Sequence, residues 1–324
     1  MRVFLTALLC VWGLAAAQIG EPPAQLRQSL ANLNPVATGN GFRAGGLQAS
    51  LEQRGGALYG VSGAVTLNPQ GRAAFAQLVG AATGYGAGIA QPIQNFLATR
   101  TAELAGQGEV SLAVEEFVLT LDVTGGAAPY RAAFRLELAQ LEGFPPAAHV
   151  LGPKNAAVVV REFSDFGCPY CAQYAAQVLP QVKREFLGRG DVRFEFHHLP
   201  LASIHPNAPL AAEAAECVVA ANRPGDFWRY HDALFARQQA WAGLADAAPY
   251  FVRLAREVGL SNEGVATCLS EGRYTETVEN AADAAFALGL NSTPSVFVGP
   301  YRLARAGTLA AYRTAIGRLE RFAR

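Results

Sequence analysis

The run Ala156-Ala157-Val158-Val159-Val160 is apolar at every position, so no face of it is written for water. Such a segment suits a strand covered on both faces, as in a parallel sheet. Shortly after it comes Cys168-Pro169-Tyr170-Cys171, where the pattern expects a helix to open. Pro169 fits the first turn, because its φ is already helical and its missing N–H is not needed there. A buried strand that feeds a helix at a cysteine pair constrains this part of the chain more than any other feature.

Two cysteines two residues apart can hold a metal, form a crosslink or act as a redox couple. A zinc site needs two further ligands at workable spacing. Cys217, Cys268, His197, His198 and His205 are available, but they form no second short-spaced pair. A bridge within one helical turn closes too small a ring to stabilise much. The redox reading has a positive argument. Unpaired N–H groups and the helix dipole favour an anion at a helix start, so Cys168 is expected to be exposed and acidic. Cys171, one turn later, is expected to be more buried and able to resolve a mixed disulfide.

The chain has 324 residues, which suggests two domains. Its 26 basic and 26 acidic residues balance, which argues against a nucleic-acid or anionic-membrane partner. Residues 1–17 carry one early cation, an apolar stretch and the small-residue end Ala15-Ala16-Ala17, the pattern of a cleaved secretory signal. Cys10 would leave with it. Four cysteines then remain, an even number that fits two disulfides in an exported protein. With Cys168 and Cys171 assigned to one pair, Cys217 and Cys268 are expected to form a structural bridge.

Residues 18–142 read as an α+β domain with an antiparallel sheet. A short helix over 22–32 and loop over 33–46 precede strands near 47–53 and 57–67. A helical stretch over 70–104 is expected to break at Gly84–Gly88 and Pro92. Alternation over 117–123 and 132–138 then predicts a hairpin. Residues 143–154, with Pro145-Pro146, read as a linker. Beyond it come strand, helix, strand, a helical block over 206–289, a strand at 296–298 with its return at 301–303, and a closing helix over 307–322. The helix opening at Cys168 is expected to reach Leu187 with a kink at Pro180.

The segments REFSDFGCPYCAQY, HPNAPLAAEAAECV and NSTPSVFVG, in this order, resemble the DsbA-like thiol–disulfide oxidoreductases over about residues 150–322. The resemblance implies an α/β thioredoxin-like domain with an inserted helical block over 155–324, preceded by the smaller α+β domain. It implies that Cys168 is the nucleophile and Cys171 the resolving thiol, and that Pro169 and Tyr170 tune the potential. It further implies that Pro294 is a cis-proline facing the pair, that the Thr293 backbone receives substrate, and that Glu162 is a buried acid near the thiols. Two residues depart from the best-known oxidases: Tyr170 stands where His is usual, and Thr293 where Val is common. Both are found in isomerase or reductase relatives.

The expected function is an extracytoplasmic, periplasmic or secreted, disulfide-forming oxidase that needs no metal and no cofactor. Its expected partners are thiols and disulfides of exported proteins and a membrane or soluble redox partner for recycling. The expected state is a monomer, with a homodimer through the N-terminal domain as the other possibility. The alternatives are a disulfide isomerase or reductase, and a non-catalytic assembly protein that kept a thioredoxin-like module.

Overall fold

The computed structural model describes residues 18–304 and 306–324, so the expected signal segment 1–17 lies outside the described residues. The chain divides into two compact units, one running to Ala139 and also taking in Gly317–Arg324, the other spanning Gln140–Ile316. The last residues of the closing helix therefore belong with the first unit.

The first unit opens with α1 (Pro23–Ser29) and continues through β1 (Val36–Thr38), β2 (Gly41–Ala44), β3 (Leu47–Arg54) and β4 (Ala57–Thr66). Then come α2 (Pro69–Thr83), α3 (Ala87–Leu104), β5 (Glu109–Val114), β6 (Phe117–Thr124) and β7 (Arg131–Leu138). The strands form one antiparallel sheet in the order β1-β2-β3-β4-β7-β6-β5. Phe117, Leu119, Leu121 and Val123 on β6 and Phe134, Leu136 and Leu138 on β7 all face the core, because a strand turns alternate side chains to one side. Phe75 of α2 meets Phe134 edge-on at 4.8 Å. The other face is polar. Arg135 holds Glu52 with two hydrogen bonds of 2.9 and 2.8 Å and Glu137 with a third of 3.0 Å.

Three expectations for this unit need correction. Residues 33–46 are not loop, since β1 and β2 lie there as a short hairpin. β5 is a strand outside those expectations, although its Val110, Leu112 and Val114 alternate with Glu109, Ser111 and Ala113. Pro92 does not interrupt α3, which runs through it; the break falls before it, where Gly84 ends α2 with φ +76°. Asn68 opens α2 by accepting a 2.7 Å hydrogen bond from the Gly71 N–H, with Pro69 at the first turn.

The second unit begins with β8 (His149–Leu151), β9 (Val158–Ser164), α4 (Pro169–Gln177), α5 (Leu179–Phe186) and β10 (Val192–His198). The helical block follows as α6 (Ala208–Ala220), α7 (Phe227–Ala236), α8 (Gln238–Trp241), α9 (Ala248–Glu257), α10 (Val265–Ser270) and α11 (Thr275–Ala287). β11 (Ser295–Val298), β12 (Tyr301–Arg302) and α12 (Leu309–Phe322) close the chain. The sheet order is β12-β11-β9-β10-β8, with β9 parallel to β10 and antiparallel to β11. β9 is central, which explains its unbroken apolar run. Residues 143–154 are more than a linker, because β8 pairs with β10 there. The expected single helix from 168 to 187 is two helices that meet at Val178, since Pro180 cannot supply the N–H that would continue α4.

Among the described residues, no helix is long and apolar enough to cross a membrane. Cys217 of α6 and Cys268 of α10 are bonded, with their Cα atoms 5.9 Å apart.

Candidate active site

The carboxyl end of β9 delivers the chain to the mouth of α4 through Asp165, Phe166 and Gly167. Cys168 is the residue that caps α4, with φ −77° and ψ 122°, and Pro169 occupies the first turn. The loop is held from several sides. Asp165, whose side chain is fully buried, accepts hydrogen bonds from the Gly167 N–H at 2.6 Å, the Leu201 N–H at 2.9 Å and His205 Nδ1 at 2.7 Å. Gly167 lies so close to His205 that an added Cβ would stand 2.7 Å from the histidine Cβ. From α8, Gln238 Nε2 donates to the carbonyls of Phe166 at 2.7 Å and Cys168 at 2.9 Å. Asp165 and His205 lie in two of the segments that carry the resemblance in the sequence, REFSDFGCPYCAQY and HPNAPLAAEAAECV. Gln238 gave no signal there, because its partner carbonyls lie about 70 residues earlier in the chain.

The two thiols are free and sit in opposite electrostatic settings. The Cys171 thiol donates toward the Cys168 sulfur, and that hydrogen bond leads in bringing Cys168 down to about 5. Burial opposes it, while the Thr293 hydroxyl and the backbone N–H groups of Cys171 and Tyr170 help. In the dithiol, Cys168 Sγ instead points at the Thr293 carbonyl at 3.4 Å and the Thr293 hydroxyl has no partner. Once the thiol ionises, that hydroxyl is free to turn onto the sulfur. Cys171 is pushed well up, first by burial and then by the neighbouring Cys168. Cys168 is less open than a helix mouth suggested, at 5% exposed against 0% for Cys171, because the loop before Pro294 covers it. Tyr170 between them is 72% exposed.

The Thr293–Pro294 peptide bond is cis, and β11 begins at the next residue. Beside the thiols is a cleft of about 360 Å³ lined by Tyr170, Gln173, Gln177, Pro294, Arg302 and Leu303, among others. Beneath them, Glu162 is 4% exposed and raised to about 7, chiefly by burial. The Ser164 hydroxyl and the Lys183 ammonium pull it down, and Asp232 pushes it up. Ser164 lies two residues along β9 and on the same face as Glu162, and it pulls down both the acid and the Cys171 thiol. Lys183 is one of two lysines in an otherwise arginine-only basic set, a rarity to which the sequence attached no role. Its ammonium lies 4.0 Å over the Trp228 ring.

A central mixed sheet, a helix capped by the first cysteine of a dithiol, and a cis-proline beside it together define a thioredoxin-type redox protein. The thioredoxin family model matches residues 145–318, more than half of the chain, and the chain belongs to that family. It is similar to the Na(+)/H(+) antiporter NhaA 3 of Salinispora tropica, 37% identical over 53% of this chain and 26% of that one. It is also similar to disulfide bond formation protein D of Bacillus subtilis, 28% identical over 46% of this chain and 66% of that one. The chain thus spans about a quarter of the first relative and just under two thirds of the second. Among solved structures, oxidised BdbD from Bacillus subtilis superposes with a TM-score of 0.50 at 25% identity, covering 56% of this chain and 98% of that one.

Proposed function

We propose that this chain is an extracytoplasmic thiol–disulfide oxidoreductase that forms disulfides in exported proteins through Cys168 and Cys171. The observation that carries the direction is the opposed pair of thiols, Cys168 low and Cys171 high. A stabilised thiolate favours the reduced enzyme, and that makes the oxidised form a strong oxidant.

In the proposed cycle a substrate thiolate attacks Cys168 of the enzyme disulfide. The Cys168–Cys171 bond breaks, and Cys171 leaves as a thiolate that takes a proton from Glu162. A second substrate thiolate then attacks the substrate sulfur of the mixed disulfide. The substrate disulfide forms and Cys168 leaves as its stabilised thiolate. Two electrons have moved from substrate to enzyme, and a membrane or soluble redox partner takes them away. The Thr293 backbone beside cis-Pro294 is available to pair with an extended substrate segment, while Pro169 and Tyr170 set the poise of the couple. No organic cofactor enters the cycle.

One observation favours an isomerase or reductase instead. Tyr170 is exposed and places no cation beside the Cys168 sulfur. The experiment that separates the readings is the equilibrium reduction potential against glutathione, with oxidation of a reduced protein substrate and reduction of insulin assayed in parallel. A potential near that of thioredoxin would reverse the direction. Inactivity in both assays would leave the non-catalytic assembly role.

The N-terminal unit is proposed as a non-catalytic platform on a monomeric enzyme, and residues 1–17 as a signal removed after Ala17. It contains no cysteine from residue 18 onward. Light scattering tests the monomer, and a stable dimer of the mature chain would overturn it.

A further inference from the structure

His149 on β8, His198 at the end of β10 and Glu216 on α6 converge on one point in the second unit. Both imidazole Nε2 atoms lie 2.7 Å from the same oxygen, Glu216 Oε1. The three groups present donor atoms within 4.8 Å of one another. His198 is 1% and His149 8% exposed. The rings are held in place. His149 stacks on Phe227 with centroids 3.6 Å apart and planes 12° from parallel, and Phe196 stands edge-on to His198 at 5.2 Å.

We propose that these three residues form a binding site for a divalent late transition-metal ion, Zn²⁺ by preference. Two imidazole nitrogens and one carboxylate oxygen are a donor set that suits Zn²⁺, whereas Ca²⁺ and Mg²⁺ seek oxygen ligands. Without an ion, both imidazoles donate to one carboxylate oxygen and the cluster is closed by hydrogen bonds. With an ion, metal–ligand bonds of roughly 2.0–2.1 Å hold neighbouring tetrahedral ligands about 3.3 Å apart, so each nitrogen–oxygen separation opens by about half an ångström. Each imidazole then carries its proton on Nδ1. For His198 the Nε2–H bond to Glu216 then gives way to the metal bond, and the proton moves to an Nδ1 that is buried without a partner. The Glu216 side chain is 13% exposed, so the carboxylate is the member of the cluster most open to solvent.

The site is separate from the cysteine pair but near the loop that carries it. His198 pairs with Ser164 across the β9–β10 ladder, and its ring lies 6.1 Å from that of Phe166. An ion there would tie the edge strand β8, its neighbour β10 and the helical block together next to the bridged Cys217. No motif announced it, because the three ligands are far apart in sequence and meet only through the sheet and α6.

The test uses the full mature chain with Cys168 and Cys171 oxidised, so that no thiol competes, and Zn²⁺ alone as the probe. Calorimetric titration is expected to show one equivalent bound, and His198→Gln and Glu216→Gln are each expected to weaken it by more than about 100-fold, beyond the loss of a supporting residue. Glu216→Gln keeps an oxygen that can accept from both imidazoles, so its fold is expected to survive. X-ray absorption on the zinc-loaded wild type, which needs no variant, is expected to show two imidazole ligands. Absence of binding at millimolar Zn²⁺, binding that survives both substitutions, or an absorption spectrum without two imidazoles would each overturn the proposal. The cluster would then be a hydrogen-bonded clamp.

Discussion

The second unit contains two cysteine pairs with opposite fates. Cys217 and Cys268 come from different helices, α6 and α10, and are bonded to each other in a buried setting that treats both sulfurs alike. Cys168 and Cys171 lie one turn apart on one helix and are treated unlike: the Cys171 thiol, then Thr293 and backbone N–H groups, stabilise a thiolate on the first, and burial opposes one on the second. The comparison teaches that proximity alone makes a crosslink. A usable redox couple needs an electrostatic gradient across the pair, so that one sulfur is the better leaving group and the other holds its proton.

The largest expected effect is on turnover. Cys168→Ser should abolish disulfide exchange, while Cys171→Ser should accumulate mixed disulfides with substrate through Cys168, read by non-reducing electrophoresis and peptide mapping. Equal trapping by both variants would remove the asymmetry on which the comparison rests. In contrast, the double variant Cys217→Ala/Cys268→Ala should retain exchange and lose stability. The bridge closes a loop of 52 residues, from a sequence separation of 51 plus one, for which the chain-entropy model gives roughly 4 kcal/mol. Chemical denaturation reads that loss.

The next effect is on pH dependence. In the reduced enzyme the Cys168 thiol ionises at about 5 rather than 9.0. A group depressed on folding contributes stability that is fully present above 9.0 and is lost as pH falls toward about 5. The oxidised enzyme has no such group, so its stability should overtake that of the reduced form as the pH is lowered through this window. Glu162 acts with the opposite sign. It is raised from 4.5 to about 7, so the native state keeps a proton that the unfolded chain releases, and stability falls as pH rises between those values. Glu162→Gln should flatten that part of the profile and slow the release of Cys171 by up to about 10²-fold, measured by stopped-flow reduction of the enzyme disulfide.

The smallest effect concerns the tie between the two pairs' surroundings. Gln238→Ala removes two hydrogen bonds to the Cys168 loop and should cost about 1–3 kcal/mol. It should also raise the pH at which the Cys168 thiolate appears in ultraviolet titration, while the Cys217–Cys268 bridge still forms. An unchanged titration would mean that α8 contributes packing and not poise.

What could be read without a structure was whatever local physics encodes. The apolar run of β9, the Pro169 helix start, the alternation on β6 and β7 and the cysteine pair all express their meaning within one turn or one strand. The DsbA-like segments added the cis-proline and Glu162. Short strands such as β1, β5 and β8 escaped, because a three- to six-residue strand is defined by the neighbour it pairs with. The same reason hid the supports of the site. Gln238, Ser164 and Lys183, like the convergence of His149, His198 and Glu216, are ordinary residues until the sheet and helical block bring them together. The sequence by itself determined that Cys168 would sit at a helix mouth, since capping and proline geometry are local. Only the tertiary structure decided how deeply each sulfur is buried and which donors face it, because desolvation and hydrogen bonding are set by residues far away along the chain.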